Sequence, residues 1–69
     1  MSDSIYKVIE LVGTSDKSWE EAAKNAVEQA AKTIRDLRIC EVVQQDAKIV
    51  ENKIVQYRTR VKISFKFEG

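Results

Sequence analysis

The sequence lacks histidine and proline altogether, and it contains only one cysteine and two glycines. Cys40 has no partner for an internal disulfide, and without histidine or a second thiolate zinc has no ligand set. The commonest general base of enzymes is missing, and no nucleophile with a base or pair of acids replaces it, so we expect no catalysis. Cys40 falls within a strand pattern and is predicted to be a small buried apolar side chain.

The sequence also has no large net charge, because twelve basic and eleven acidic residues leave a balance of +1. That balance offers no general attraction to nucleic acid or to a membrane surface, and neither is expected as a partner. No apolar run approaches the ~20 residues of a membrane-spanning helix, and no signal peptide is recognisable, so we expect a cytoplasmic protein.

The chain is short for a stable domain. Its 69 residues make a single domain, 1–69, and a domain of this size buries only about 60% of its unfolded surface. Small domains gain stability from disulfides, metals or oligomerisation. Because a disulfide and a zinc site are excluded, we expect a homo-oligomer.

The clearest pattern present is the alternation of residues 54–67, in which the odd positions from 55 onward are mostly apolar and the even positions from 56 onward are polar. A period of two over this length predicts a half-buried strand of about 40–45 Å, longer than one helix of the same chain can cover. A second strand is predicted over Ile39–Val50, joined to it by a turn at 51–53. A first strand over Ile5–Val12 has apolar residues on both faces, which is typical of a strand covered on both sides.

One amphipathic helix is predicted between the first two strands. Ser18 is a good N-cap, and Glu21 three residues later completes a capping box. Apolar residues recur on one face from Trp19 to Leu37, which predicts a helix running to about Asp36. Trp19, in the first turn, is interpreted as a packing anchor in preference to a platform on which a ligand stacks.

The predicted fold is therefore α+β, in the order β-α-β-β. The strands before and after the helix should be parallel, as in a crossover connection. The hairpin makes the third strand antiparallel to the second. The simplest sheet is three-stranded, antiparallel or mixed, with the third strand central and one face wrapped around the helix.

Cations of the third strand provide the first candidate for binding. Their acidic neighbours on the other strands favour charge pairing over phosphate binding. The cations are Arg58, Arg60 and Lys62, and the acids are Glu10, Glu41 and Asp46.

A second candidate is the segment Gly13–Ser15, placed before the helix. A phosphate could bind at the helix N-terminus, but one glycine is a weak signal and Glu20 and Glu21 would repel an anion, so we favour a turn and a cap. The acidic residues have no EF-hand spacing. A calcium site at a loop, or across a symmetry axis where one carboxylate is repeated, stays open.

Four segments, the string Tyr6–Ser15, the alanine-rich helix, Glu41–Val43 and Val61–Phe67, stand in an order and pattern that resemble the dodecin family. The resemblance covers almost the whole chain. The resemblance implies a hollow homododecamer with helices outside and sheets lining the shell. Most such proteins bind flavins in pairs between tryptophans at subunit interfaces, and they are regarded as flavin stores or buffers without established turnover.

The positions of the family's flavin pocket differ in this sequence. Ile39 stands where flavin-binding relatives have a tryptophan, which removes a stacking surface. Arg58 stands where they have a glutamine that pairs with the ring edge, and arginine has donors but no acceptor. Gln44 and Lys48 stand where some relatives have acids for the ribityl chain. The resemblance thus implies that this pocket does not bind flavin well.

A smaller branch, described as calcium dodecin, looks more similar still. It shares the helix start Ser18–Glu20, the junction Arg38–Ile39 without tryptophan, and the pair Tyr57–Arg58. This resemblance implies a shell that binds or buffers a small ligand or an ion, with calcium the candidate, and it assigns no metal ligands. The loop Thr14–Ser18 is the place to look.

A flavin store holding FMN or riboflavin is the alternative. In that case Arg58 and Lys48 would favour the phosphorylated flavin, FMN. A purely structural or partner-binding module is a further alternative.

Overall fold

A computed structural model describes residues 4–67 of the chain. The elements are β1, Tyr6–Ser15; α1, Trp19–Ala31; β2, Leu37–Val50; and β3, Lys53–Lys66. The predicted order β-α-β-β is therefore confirmed. The two ends of the predicted domain 1–69 lie outside the described residues.

The three strands form one sheet in the order β1-β3-β2. β3 is antiparallel to both neighbours, so β1 and β2 run parallel to each other on either side of it. This arrangement confirms the α+β fold with the third strand central.

The core lies between α1 and one face of the sheet. Odd residues of β3 point into it, and Thr59, Val61 and Ile63 are buried there. The helix contributes a stripe of small side chains at a spacing of four residues, Ala22, Ala26 and Ala30, all buried. Small side chains let the helix axis approach the strands closely, so the larger residues of the sheet supply most of the apolar volume.

Gly13 of β1 marks the closest approach of helix and sheet. A Cβ atom there would collide with the carbonyl oxygen of Ala22 and lie 3.0 Å from the Cβ of Ala26. β1 continues through this glycine to Ser15, beyond the predicted end at Val12. The predicted connecting loop, which started at Gly13, was therefore too long, because the strand needs Gly13 under the helix.

The helix ends at Ala31 and not at about Asp36 as predicted. The backbone N–H groups of Thr33 and Ile34 both donate to the carbonyl of Ala30, at 3.2 and 3.0 Å, which tightens the last turn. Asp36 then adopts a left-handed conformation with φ 62°. The apolar spacing was misleading because Leu37 packs on the same core from the first position of β2.

A two-residue turn joins β2 to β3. Glu51 and Asn52 have φ angles of 52° and 64°, and Val50 pairs with Lys53 across the turn. Two left-handed central residues are the type I′ geometry, whose twist matches that of the flanking strands. The predicted turn is confirmed, with β3 starting at Lys53.

The strands extend well beyond the helix. α1 is about 20 Å long by its residue count, whereas β3 is about 46 Å long. β1 ends where Ser15 pairs with Tyr57, so the hairpin tip beyond that pair has neither helix nor third strand beside it. Within residues 4–67, no helix is long and apolar enough to cross a bilayer.

Cys40 corrects one expectation. It lies opposite Ile63 in the register, on the helix side of the sheet, yet it is exposed and not buried. α1 packs mainly on β1 and β3, so the helix leaves the edge strand β2 largely uncovered on this side of the sheet. Facing the core side of a sheet is therefore not enough to bury a residue of this strand.

Candidate functional site

The candidate site lies on the outer face of the sheet, meaning the face turned away from α1. Antiparallel residues that lie directly opposite each other point to the same side. The outer face therefore carries the even residues of β3 and their partners in β1, such as Glu10 opposite Lys62 and Thr14 opposite Arg58.

A β-bulge in β2 brings the predicted pocket positions onto this face. Val42 pairs with Val61 on the helix side, and the register then shifts so that Gln44 pairs with Arg60 on the outer side. An extra residue in one strand reverses the side on which later residues lie. Odd-numbered Ile39 and even-numbered Lys48 consequently share the outer face with Gln44.

The four positions nevertheless do not form one pocket within a single chain. Gln44 and Lys48 lie next to Arg58, opposite Arg60 and Gln56 of β3 respectively. Ile39 lies opposite Ser64, six residues or about 20 Å farther along the strand. The structure gathers Gln44, Lys48 and Arg58 and leaves Ile39 apart.

Arg58 is held by a carboxylate of the neighbouring strand. Its Nε and Nη2 atoms lie 2.6 and 3.0 Å from the two carboxylate oxygens of Asp46. The hydrogen bonds from Arg58 are the main cause that lowers the pKa of Asp46; desolvation opposes them, and the positive charges of Arg58 and Arg60 lower the pKa further. The same bonds raise the pKa of Arg58. Both side chains stay partly exposed, at 44% and 40%, so the ion pair is reachable from the solvent.

The main chain of Asp46 is held as well, by Trp19. The indole Nε1 donates to the carbonyl oxygen of Asp46 at 2.8 Å. The indole ring meets Tyr57 edge to face, with centroids 4.9 Å apart, and Thr59 donates its hydroxyl hydrogen to the Trp19 carbonyl at 2.9 Å. Trp19 is thus a packing anchor, as predicted, and it connects the helix start to β2 and β3.

A second ion pair lies on the other side of β3. Arg60 Nη1 is 3.4 Å from Glu10 Oε2, a diagonal contact between β3 and β1. Lys62 lies directly between Glu10 and Glu41 in the register. The predicted pairing of the third-strand cations with acids of the flanking strands is confirmed for Arg58 and Arg60.

The turn before the helix satisfies its own polar groups. Ser18 accepts a hydrogen bond from the N–H of Glu21 at 3.0 Å, as expected for the N-cap. The carboxylate of Glu21 does not complete the predicted capping box; it accepts the hydroxyl of Ser15 at 2.7 Å. Ser15 in turn accepts from the N–H of Lys17 at 2.9 Å. These bonds support the interpretation of the segment before the helix as a turn and a cap, in preference to a phosphate site.

The predicted place for calcium, Thr14–Ser18, contains no ligand cluster in one chain. Thr14 and Ser15 belong to β1, and the nearby carboxylate of Glu21 is hydrogen-bonded to Ser15. Across residues 4–67, no group of three or more acidic or sulfur side chains is placed to hold a metal ion.

The surroundings of Ile39 contain a feature that the sequence did not reveal. Ile39 is 64% exposed, and it borders an open depression of about 570 Å³ lined by Tyr6, Arg38, Ile39 and Ser64. Tyr6 supplies the aromatic ring of this lining. Only the pairing of β1 and β2 with the same end of β3 brings these residues together, so no sequence spacing could have shown it.

Comparison with known proteins identifies the family. The sequence profile of the Dodecin family matches residues 5–68. The calcium dodecin of Mycobacterium tuberculosis is 41% identical over 63 residues, covering 91% of this chain and 89% of that protein.

Solved structures agree with this match. The dodecin of Streptomyces coelicolor superposes with a TM-score of 0.94 at 35% identity, covering 100% of this chain and 99% of that one. The structure of the Mycobacterium tuberculosis calcium dodecin, described as having a novel calcium-binding site, superposes with a TM-score of 0.84 at 40% identity, covering 94% and 93%. The chain belongs to the dodecin family.

Proposed function

We propose that this dodecin-family chain forms a hollow homododecameric shell that binds or buffers a small ligand or an ion, with calcium the leading candidate. The observation that carries the proposal is that the residues at the flavin-pocket positions do not suit a flavin. Arg58 is engaged by Asp46, and Ile39 offers no ring for stacking. The 41% identity to a calcium dodecin supports calcium as the ligand.

Exposed apolar side chains support assembly. Ile39 and Val8 flank Ser64 on the outer face, and both are largely exposed in the single chain. Ile49 and Ile54 are likewise exposed at the hairpin tip. Contiguous apolar surface of this kind marks an interaction site in a small domain. Further copies of the chain would remove it from water.

Calcium fits such an assembly better than it fits one chain. The ion takes about six to eight oxygen ligands at about 2.3–2.6 Å, and within residues 4–67 of one chain no three acidic or cysteine side chains come together to hold a metal ion. A symmetric shell repeats a single carboxylate around each axis, which multiplies one ligand into several.

A binding role is proposed in preference to catalysis. The chain has no histidine, and Asp46 and Arg58, the first with a lowered and the second with a raised pKa, hold each other as an ion pair. We place the protein in the cytoplasm, and we propose neither nucleic acid nor a membrane as a partner because the charge of the chain is balanced.

Native mass spectrometry of the purified protein tests this proposal. The protein is measured as purified, after chelation with EDTA, and after addition of calcium or, as the control ion, magnesium. We expect a twelve-subunit mass that carries metal-sized increments, loses them with EDTA and regains them with calcium only. A twelve-subunit mass that stays bare in calcium would reject the ion-binding role, and a monomer or dimer would reject the shell.

Storage of FMN or riboflavin is the second candidate. The observation in its favour is the bulge of β2, which puts Gln44 and Lys48 beside Arg58 and leaves Ile39 on the same face, farther along the strand. The same spectra decide between the two ligands, because flavin-sized increments and a yellow protein would support flavin storage.

A further inference from the structure

The hairpin tip, beyond the pair of Ser15 with Tyr57, presents an apolar side with no helix beside it. Ile49 follows Lys48 of the outer face, so by alternation it lies on the helix side of the sheet, together with its partner Ile54. The two side chains are 64% and 52% exposed. The tip therefore projects apolar side chains that nothing in its own chain covers.

A cleft that also lacks a cover lies between α1 and β2. Its volume is about 130 Å³, and its lining is apolar except for Arg38. The lining residues are Val27, Leu37, Arg38, Ile39, Cys40 and Ile63. Val42, two residues after Cys40 along β2, is 51% exposed. The cleft is thus a concave apolar surface, whereas the tip is a projecting one.

The tip and the cleft of one chain are too far apart to meet. Cys40 and Ile49 lie on the same strand, nine residues or about 30 Å apart. A second copy of the chain brings the tip and the cleft together. A contact between two different surfaces is heterologous, so it repeats from copy to copy and closes into a ring where the rotation allows.

Charges at the two surfaces are complementary. Glu51 lies in the turn at the end of the tip, Arg38 lines the cleft, and both side chains are exposed. The cation of the tip, Lys53, precedes Ile54 and therefore lies on the opposite side of the hairpin. A tip that enters the cleft brings a carboxylate towards an arginine.

Addition of a strand along the free edge of β2 is the competing arrangement. Register shifts leave Arg38 and Val43 as extra residues in β2, without partners in β3. Bulges of this kind twist an edge strand and interrupt its pairing with a further strand. The edge of β2 is therefore less suited to a second copy than the cleft beside it.

We propose that the hairpin tip of one copy packs through Ile49 and Ile54 into the cleft between α1 and β2 of the next copy. The proposal rests on the proposed shell and names the surfaces that join its copies. The tip gains the flank of a helix, and the cleft gains the apolar side chains that its own chain does not supply. Because the contact runs head to tail, the copies that it joins form a ring.

Cys40 provides the test, because it is the only cysteine of the chain and lines the cleft. A cysteine at the tip, Ile54→Cys or in a second variant Ile49→Cys, should form a disulfide with Cys40 of the neighbouring copy when the assembled protein is oxidised. Both side chains are exposed, so their replacement leaves the core intact. Val8→Cys is the matched control, since Val8 is 58% exposed but lies on the outer face.

Denaturing gels without reductant measure the covalent species, after native mass spectrometry has shown that each variant is assembled. We expect a tip variant to give covalent dimers and larger species, because each copy offers both a tip and a cleft. Wild type, Val8→Cys and Ile54→Cys combined with Cys40→Ser should remain at the mass of one chain. Tip variants that both stay single or stop at the dimer would overturn the proposal, as would equal cross-linking in any of the three controls.

If neither tip variant assembles, the charges decide. Arg38→Glu and Glu51→Arg should each lower the urea concentration at which the assembly dissociates, and the double variant should regain stability. A double variant no more stable than the weaker single variant would contradict the contact. A wild-type assembly without the cross-link rejects this contact alone, whereas a monomeric wild type rejects the proposed shell.

Discussion

The two faces of β3 differ in what satisfies their side chains. On the helix side, Val61 and Ile63 are buried within the chain itself. On the outer side, Arg58 is paired with Asp46 but remains exposed, and the apolar Ile39, farther along the sheet, is also exposed. The helix face therefore carries the stability of the single chain, whereas the outer face is available for assembly and for ligands.

Truncation of Ile63 should give the largest effect, because this side chain is only 1% exposed at the centre of the core. We expect Ile63→Ala to lower the free energy of unfolding by about 2–5 kcal/mol and Ile63→Val by about 0.5–1.5 kcal/mol. Denaturant unfolding at one fixed protein concentration measures both. A loss below that of the valine variant would mean that the core lies elsewhere.

Gly13→Ala should rank second, because the new methyl group collides with the carbonyl of Ala22. Overpacking of this kind costs about 1–3 kcal/mol. Thr14→Ala is the control, since Thr14 is exposed and the bond that Asn25 makes to it uses the main-chain carbonyl. Equal unfolding midpoints for Gly13→Ala and wild type would contradict the close approach of helix and strand.

Ser15→Ala should come third and tests the turn before the helix. The Ser15 hydroxyl is buried, donates to Glu21 and accepts from the N–H of Lys17. We expect its loss to cost about 1–2 kcal/mol, similar to removal of the N-cap by Ser18→Ala. Thermal unfolding compares the two variants. If Ser18→Ala lowers the melting temperature and Ser15→Ala does not, the predicted capping box describes this turn better than the observed bonds of Ser15.

The smallest effect is expected on the outer face, from Asp46→Asn at low pH. Because Arg58 lowers the pKa of Asp46 below its ordinary value of 3.8, the pair stabilises the fold above that pH and loses this contribution as the pH falls further. The difference in melting temperature between wild type and Asp46→Asn should be constant above about pH 5 and shrink below pH 3.8. A difference that stays constant down to pH 2, roughly, would show that the pair does not couple to folding.

The elements of the fold were predictable to a large extent because their signals are local. The alternation in residues 54–67 shows which side of β3 is buried, and the Ser18 cap marks where the helix begins. Boundaries were less certain, since Leu37 continues the apolar period of the helix although it belongs to β2. Packing under the helix also extends β1 past Gly13, which no local pattern indicated.

The candidate site was predictable only in part. The charge pairing of Arg58 with Asp46 followed from opposite charges on neighbouring strands, and the structure confirms it. The sharing of one face by Ile39 and Lys48 did not follow, because strict alternation places odd and even residues on opposite sides. That the four pocket positions taken from the family resemblance form a binding site stays a prediction.

The sequence by itself determined the order of the elements, the polarity of the two faces of β3 and the absence of an internal disulfide. These properties depend on residue type and on spacing along the chain. Only the tertiary structure decided that the bulge after Val42 realigns β2, that Cys40 is exposed, and that Trp19 and Arg58 hold Asp46 from two sides. The physical reason is that such contacts join residues 12 and 27 positions apart, and strand register and helix packing, which no local pattern encodes, bring them together.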